Sequence, residues 1–312
     1  MSAFDACVIG EILIDLLPTR RGPLHTMRGF EIHSGGAPAN VAVGICQFGG
    51  TAAMISRLGQ DEFGRLALDR LMANGIDCSR VSLMPDEQTS LCFITLDQSG
   101  ERSFTHRGGD PFGALSKADL DMDVIKGSRA IVFSCGALRS TASYAAVKQA
   151  VAGATGLICC DPGGFPRAWG VREEIHERIV EVASQCHIFK CSKDEGALYF
   201  GEAQPQMAVQ KILNRGARLA VVTDGENGAY YATRKQSGHV AAPEVTVVDT
   251  TGAGDAFMAG LIFGLTRDES PEIPDEPHLR SIISFACRAG ADAVTQLGAV
   301  NEPPSATGTR PL

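Results

Sequence analysis

Residues Val247–Phe257 read VVDTTGAGDAF. The small residues Gly252, Ala253 and Gly254 stand between an apolar run and a longer one, and a carboxylate, Asp255, follows at once. Upstream, EVTVV (244–248) alternates as a strand does; downstream, AFMAGLIFGL (256–265) is apolar over a helical length. The pattern predicts a strand-to-helix turn. Glycine there permits positive φ and lets a second backbone or a ligand come close. The first amides of a helix lack internal partners and lie at the positive end of its dipole, so such a turn can hold an anion. Asp255 reads either as an ordinary acid at a helix start or as a base beside a phosphate.

Two familiar glycine-loop chemistries do not fit. A Walker A loop needs Lys-Ser/Thr after its last glycine, and a dinucleotide fingerprint wants a third small residue where Phe257 stands. Outward from the turn, short apolar runs (TAAMISRLG, RAIVFSCG, GLICCDPGG, CHIFKCS, LAVVTDG) end in Gly, Ser or Asp. Most are separated by helix-length segments such as GGAPANVAVGICQFGG and DEFGRLALDRLMANG. This rhythm predicts an α/β fold, a mostly parallel sheet with helices on both faces. ACVIGEILIDLL reads as one further strand. Residues 11–33 and 88–107 break the rhythm and read as antiparallel strands of a small projecting sheet.

The chain has 312 residues, enough for a large core in a single α/β domain. A net charge of −8, without clustered Lys or Arg, argues against nucleic-acid binding. No stretch approaches the roughly 20 apolar residues of a membrane span. Of the ten cysteines, Cys7, Cys46, Cys159 and Cys160 lie inside apolar runs, as buried free thiols do, and no CxxC pair occurs. The first residues lack the basic region of a secretory signal, so the expected compartment is a reducing cytoplasm.

Taken whole, DTTGAGDAF (249–257) resembles the C-terminal signature of the ribokinase-like (PfkB) sugar kinases. GGAPANVAV (35–43) followed by RLGQDEFG (57–64) resembles their N-terminal signature, and GEILIDLLP is most similar to the fructokinase branch. The resemblance spans nearly the whole chain. It implies a ribokinase-like sheet with a small β-sheet lid, ATP-dependent phosphorylation of a sugar hydroxyl, Mg²⁺, and a homodimer formed through the lid. Fructose or a related hexose is the implied acceptor. A sugar acid or nucleoside acceptor, or a non-catalytic sugar- or nucleotide-binding regulator, stands as the alternative.

The same resemblance implies roles residue by residue. Asp255 is the base, and the amides of Gly252, Ala253 and Gly254 form the anion hole. Asp15 and Asn40 hold sugar hydroxyls, with Gly35 and Gly36 admitting the substrate, and Arg107 belongs to the lid. From spacing alone Asp15 is a strand-end charge, Asn40 a helix cap and Arg107 a solvated edge charge. CSKDE (191–195) matches the element in which Ser192, in place of the family's Asn, and Glu195 organise the Mg²⁺–water shell; Ser-x-x-Glu is equally a capping box. Thr223, Gly225 and Gly228 match the nucleotide loop, where Asp224 is unusual, and Cys287 stands near the adenine position. Asp249, Thr251, Ala293 and Gly298 match a monovalent-cation site, for K⁺, found in many members. DPGGFPRAW (161–169) departs from the family's Asp-x-Asn-x-Arg: Gly163 and Phe165 replace Asn and Arg, Arg167 is displaced, and Trp169 is kept.

Overall fold

The computed structural model describes residues 4–97, 102–163, 173–267, 272–296 and 298. Its large sheet has nine strands, in the order β13-β12-β11-β10-β9-β8-β1-β4-β5. These are β1 (Ala6–Ile9), β4 (Ala52–Gly59), β5 (Asp77–Met84), β8 (Ala130–Ser134), β9 (Leu157–Asp161), β10 (Ile188–Ser192), β11 (Leu219–Thr223), β12 (Ala229–Thr233) and β13 (Ser237–Val240). From β5 to β11 all pairs are parallel; β12 and β13 finish the edge antiparallel.

Helices cover both faces, which is why these strands are continuously apolar rather than alternating. In β1, Ala6 and Val8 face one core and Cys7 and Ile9 the other, as a two-residue repeat requires. The first core takes residues of α1 (Ala37–Gln47), α2 (Glu62–Ala73), α8 (Ala253–Leu265) and α9 (His278–Ala293). The second takes residues of α3 (Met122–Gly127), α4 (Thr141–Gly153), α5 (Glu173–Ala183), α6 (Lys193–Phe200) and α7 (Pro205–Arg215). 

A separate four-stranded sheet has the order β3-β2-β6-β7, from β2 (Leu13–Pro18), β3 (Phe30–Gly35), β6 (Leu91–Leu96) and β7 (Arg102–Arg107). Both hairpins are antiparallel, as expected, but they are joined through a parallel β2–β6 pair.

Two expected strands differ. ACVIGEILIDLL forms two strands in different sheets, parted at Gly10. A Cβ on Gly10 would lie 2.1 Å from Pro38 Cγ, so the chain passes α1 only where it has no side chain. EVTVV forms no strand: the chain leaves the sheet edge after Val240, and Val245, Val247 and Val248 are 37%, 58% and 58% exposed. Its alternation has no neighbouring strand to pair with. The main chain is instead pinned where the amides of Val248 and Asp249 donate to the Val294 carbonyl, at the end of α9.

Candidate active site

The amino end of α1 lies against the chain leaving β1, where a Cβ on Gly10 would meet Pro38, and that of α8 lies against Lys190 of β10. Each helix begins at a glycine with positive φ, Gly36 (104°) and Gly252 (76°), and neither has a capping side chain. By contrast, Asp61, Asp121, Ser140 and Ser192 cap α2, α3, α4 and α6 with their side chains. The first amides of α8, including those of Ala253 and Gly254, precede its first internal hydrogen bond, Ala256 to Gly252. Gly36 must be glycine: a Cβ would lie 2.4 Å from the Glu11 carbonyl oxygen.

The two helices pack along their length, Gly44 against Ala259 and Phe48 against Phe263, and a side-chain hydrogen bond joins their amino ends. Asn40 Nδ2 of α1 donates to Asp255 Oδ2 of α8 at 2.7 Å. Asn40 is buried, and its Oδ1 lacks a partner among the described residues. Asp255 is partly exposed, although protein packs densely around its carboxylate. Burial pushes its pKa up from 3.8 to about 7; Asp161 and Glu11 add to the rise, and the Asn40 bond and the Lys190 charge oppose it. The side chain therefore does not point into a sealed interior.

Asp15 lies on β2, its carboxylate over Gly35, where a Cβ would sit 2.1 Å from Asp15 Oδ2. Ser192 and Glu195 form a complete capping box: Glu195 N donates to Ser192 Oγ at 3.3 Å, and Ser192 N donates to Glu195 Oε2 at 2.7 Å. Burial raises the Glu195 pKa, and Asp161 adds to it. Thr223 ends β11, and Gly225 and Gly228 take positive φ in the turn to β12. The charge of Asp224 is met by Lys193, 3.3 Å away. Cys287 is buried on α9, its thiol directed at the Val240 carbonyl. Asp249 draws its neighbours together: Oδ1 accepts from Thr251 N and Oγ1 at 3.0 and 2.8 Å, and Oδ2 accepts from Gly298 N at 2.9 Å. Ala293, the last residue of α9, adjoins them through Val294. Arg107 is exposed and lines a cleft together with Glu11, His106, Asp110 and Arg139. Phe165, Arg167 and Trp169 lie outside the described residues.

Sequence reasoning gave no role to one pair. Lys190 Nζ lies 2.7 Å from Asp161 Oδ2, both side chains almost wholly buried. The signal was a lone lysine within the apolar run CHIFKCS: a strand covered on both faces cannot hold an ammonium without a partner.

A model of the pfkB family carbohydrate kinases matches residues 3–306. The chain belongs to that family. "Probable fructokinase-7" of Arabidopsis thaliana is 37% identical over 310 residues, covering 95% of this chain and 88% of the relative. Among solved structures, a fructokinase double mutant from Vibrio cholerae O395, with fructose, ADP and potassium ion bound, superposes with a TM-score of 0.85 at 26% identity, covering 97% and 96% of the two chains. An aminoimidazole riboside kinase from Salmonella enterica, complexed with aminoimidazole riboside and an ATP analog, gives 0.82 at 30% identity, with 96% of each chain covered. The protein is thus an ATP-dependent carbohydrate kinase with a ribokinase-like fold. None of its described helices is long and apolar enough to cross a membrane.

Proposed function

We propose that this kinase phosphorylates fructose or a closely related hexose, with Asp255 as the base at the junction of α1 and α8. The observation that carries the site assignment is the Asn40–Asp255 bond beside an uncapped helix start. A carboxylate whose pKa lies at about 7 accepts a hydroxyl proton more readily than an ordinary aspartate. The amides at Gly252, Ala253 and Gly254 neutralise the phosphoryl oxygens without reorganising, which is most of what phosphoryl transfer asks of a protein. The unpartnered Asn40 Oδ1 suits a sugar hydroxyl as donor, and Asp15 over Gly35 supplies a second acceptor.

ATP lies against Thr223, Gly225 and Gly228, with Cys287 toward the adenine. Mg²⁺, when bound, would neutralise phosphate charge, and Ser192 and Glu195 would hold its water shell, a role that suits a buried carboxylate. Asp249, Thr251, Ala293 and Gly298 supply the oxygen donors that a hard monovalent cation such as K⁺ prefers. Two copies pair through the small sheet, where Ile32 is 40% exposed. All ten cysteines are free, which supports a reducing cytoplasmic setting.

The test is a panel of sugars, sugar acids and nucleosides with ATP, read by ADP release and by the phosphorylated product. Fructose turning over with the highest kcat/KM supports the assignment. Preference for a sugar acid overturns fructose and makes Arg107 the partner of its carboxylate, and a nucleoside preference likewise overturns fructose. Binding with no turnover of any acceptor overturns catalysis.

A further inference from the structure

We infer that Lys190 is a positioning residue of the transfer site: its buried ammonium, anchored by Asp161 and pressed against Gly254, braces the first turn of α8 and fixes the balance of charge around Asp255. This rests on the reading of Asp255 as the base.

Lys190 is the third residue of β10 and shares the face of Ile188, toward α8. Its ammonium ends where the side chain of residue 254 would begin: a Cβ on Gly254 would lie 2.9 Å from Nζ. The last glycine of the turn is therefore a vacancy that the lysine fills. An ammonium at the amino end of a helix stands on the wrong side of the dipole, which favours anions there. It stays because Asp161 pairs with it and the charges of Glu195 and Asp255 also favour it.

The acids outnumber this cation. Asp255 faces Asp161 from β9, Lys190 from β10, Glu11 from the β1–β2 link and Asn40 from α1. Loss of the ammonium would leave the carboxylates uncompensated at the point where a phosphoryl group must arrive. Asp255 would then ionise less readily, and the turn would repel the anion it is built to receive.

The test uses the full chain labelled with carboxyl-¹³C aspartate, compared as wild type, Lys190→Met, Asp161→Asn and the double variant. The resonance missing from Asp255→Asn identifies Asp255, so its midpoint is read without turnover. Removing Lys190 is expected to raise that midpoint by about half a pH unit or more, in the wild-type and in the Asp161→Asn background. The comparison within Asp161→Asn decides the matter if Lys190→Met alone does not fold. A midpoint unmoved by loss of Lys190, with only a lower Tm, makes the lysine mere packing and overturns the inference. The acidic limb of kcat should follow the midpoint. A midpoint that moves while the limb stays supports the inference for Lys190 and removes Asp255 from the role of base.

Discussion

The proposed role of Asp255 as base draws on surroundings that make its charge unfavourable. With a pKa of about 7 in the free protein, kcat/KM should fall about tenfold per pH unit below that value, on a limb that a pH profile would locate; an activity flat from pH 5 to 8 would contradict it. The same rise has a stability consequence. The folded state holds this proton more tightly than the unfolded chain, so stability falls as pH rises from about 4 to about 7. A shift from 3.8 to about 7 corresponds to about 4 kcal/mol, less for a partly exposed residue. Asp255→Asn should therefore gain on the order of 1–2 kcal/mol at pH 8 and nothing near pH 4, measured by denaturant unfolding. Asp255 and Asn40 were legible because a short signature fixes their places. Their contact was not, since they lie 215 residues apart. Lys190 announced that it needed a partner, but its sequence could not say that the partner was Asp161.

At the scale of elements, the site is a meeting of two helix starts, and their glycines differ in kind. Gly36 has positive φ and the Glu11 carbonyl oxygen 2.4 Å from its missing Cβ; Gly49 has positive φ and nothing within 4 Å. Gly49→Ala should lose only about 1 kcal/mol of conformational energy and keep full activity. Gly36→Ala adds a backbone collision, so it should lose roughly 3 kcal/mol or more and displace α1 from Asp255, with activity falling further than stability explains. Equal effects in thermal melts and kinetics would contradict this difference. Ser192→Ala removes the cap of α6 and should cost about 1 kcal/mol. α1 and α2 were legible in their periodicity and flanking residues, although Asn40, which spacing alone makes a cap, lies inside α1 behind Gly36. EVTVV was not, because alternation shows only that a segment could pair, not that a partner strand is present. The break at Gly10 escaped for a similar reason: what forbids a continuous strand is Pro38, far along the chain.

At the scale of the molecule, the mostly parallel sheet was legible in the alternation of strand and helix, and the small sheet in its two interruptions. The parallel β2–β6 seam was not, because hairpin signals are local and that pair joins residues more than 70 positions apart. The architecture sets the carboxyl ends of β9 and β10 beneath the turn that opens α8, bringing Asp161, Lys190 and Asp255 from three elements to one place. The most direct test of this arrangement is single-turnover transfer of the γ-phosphate from ATP to the best acceptor of the panel, in wild type and in Asp255→Asn, with ATP affinity measured on both. The base role predicts a rate lower by about 10³-fold or more with ATP affinity nearly unchanged. A variant that transfers phosphate at close to the wild-type rate would contradict it.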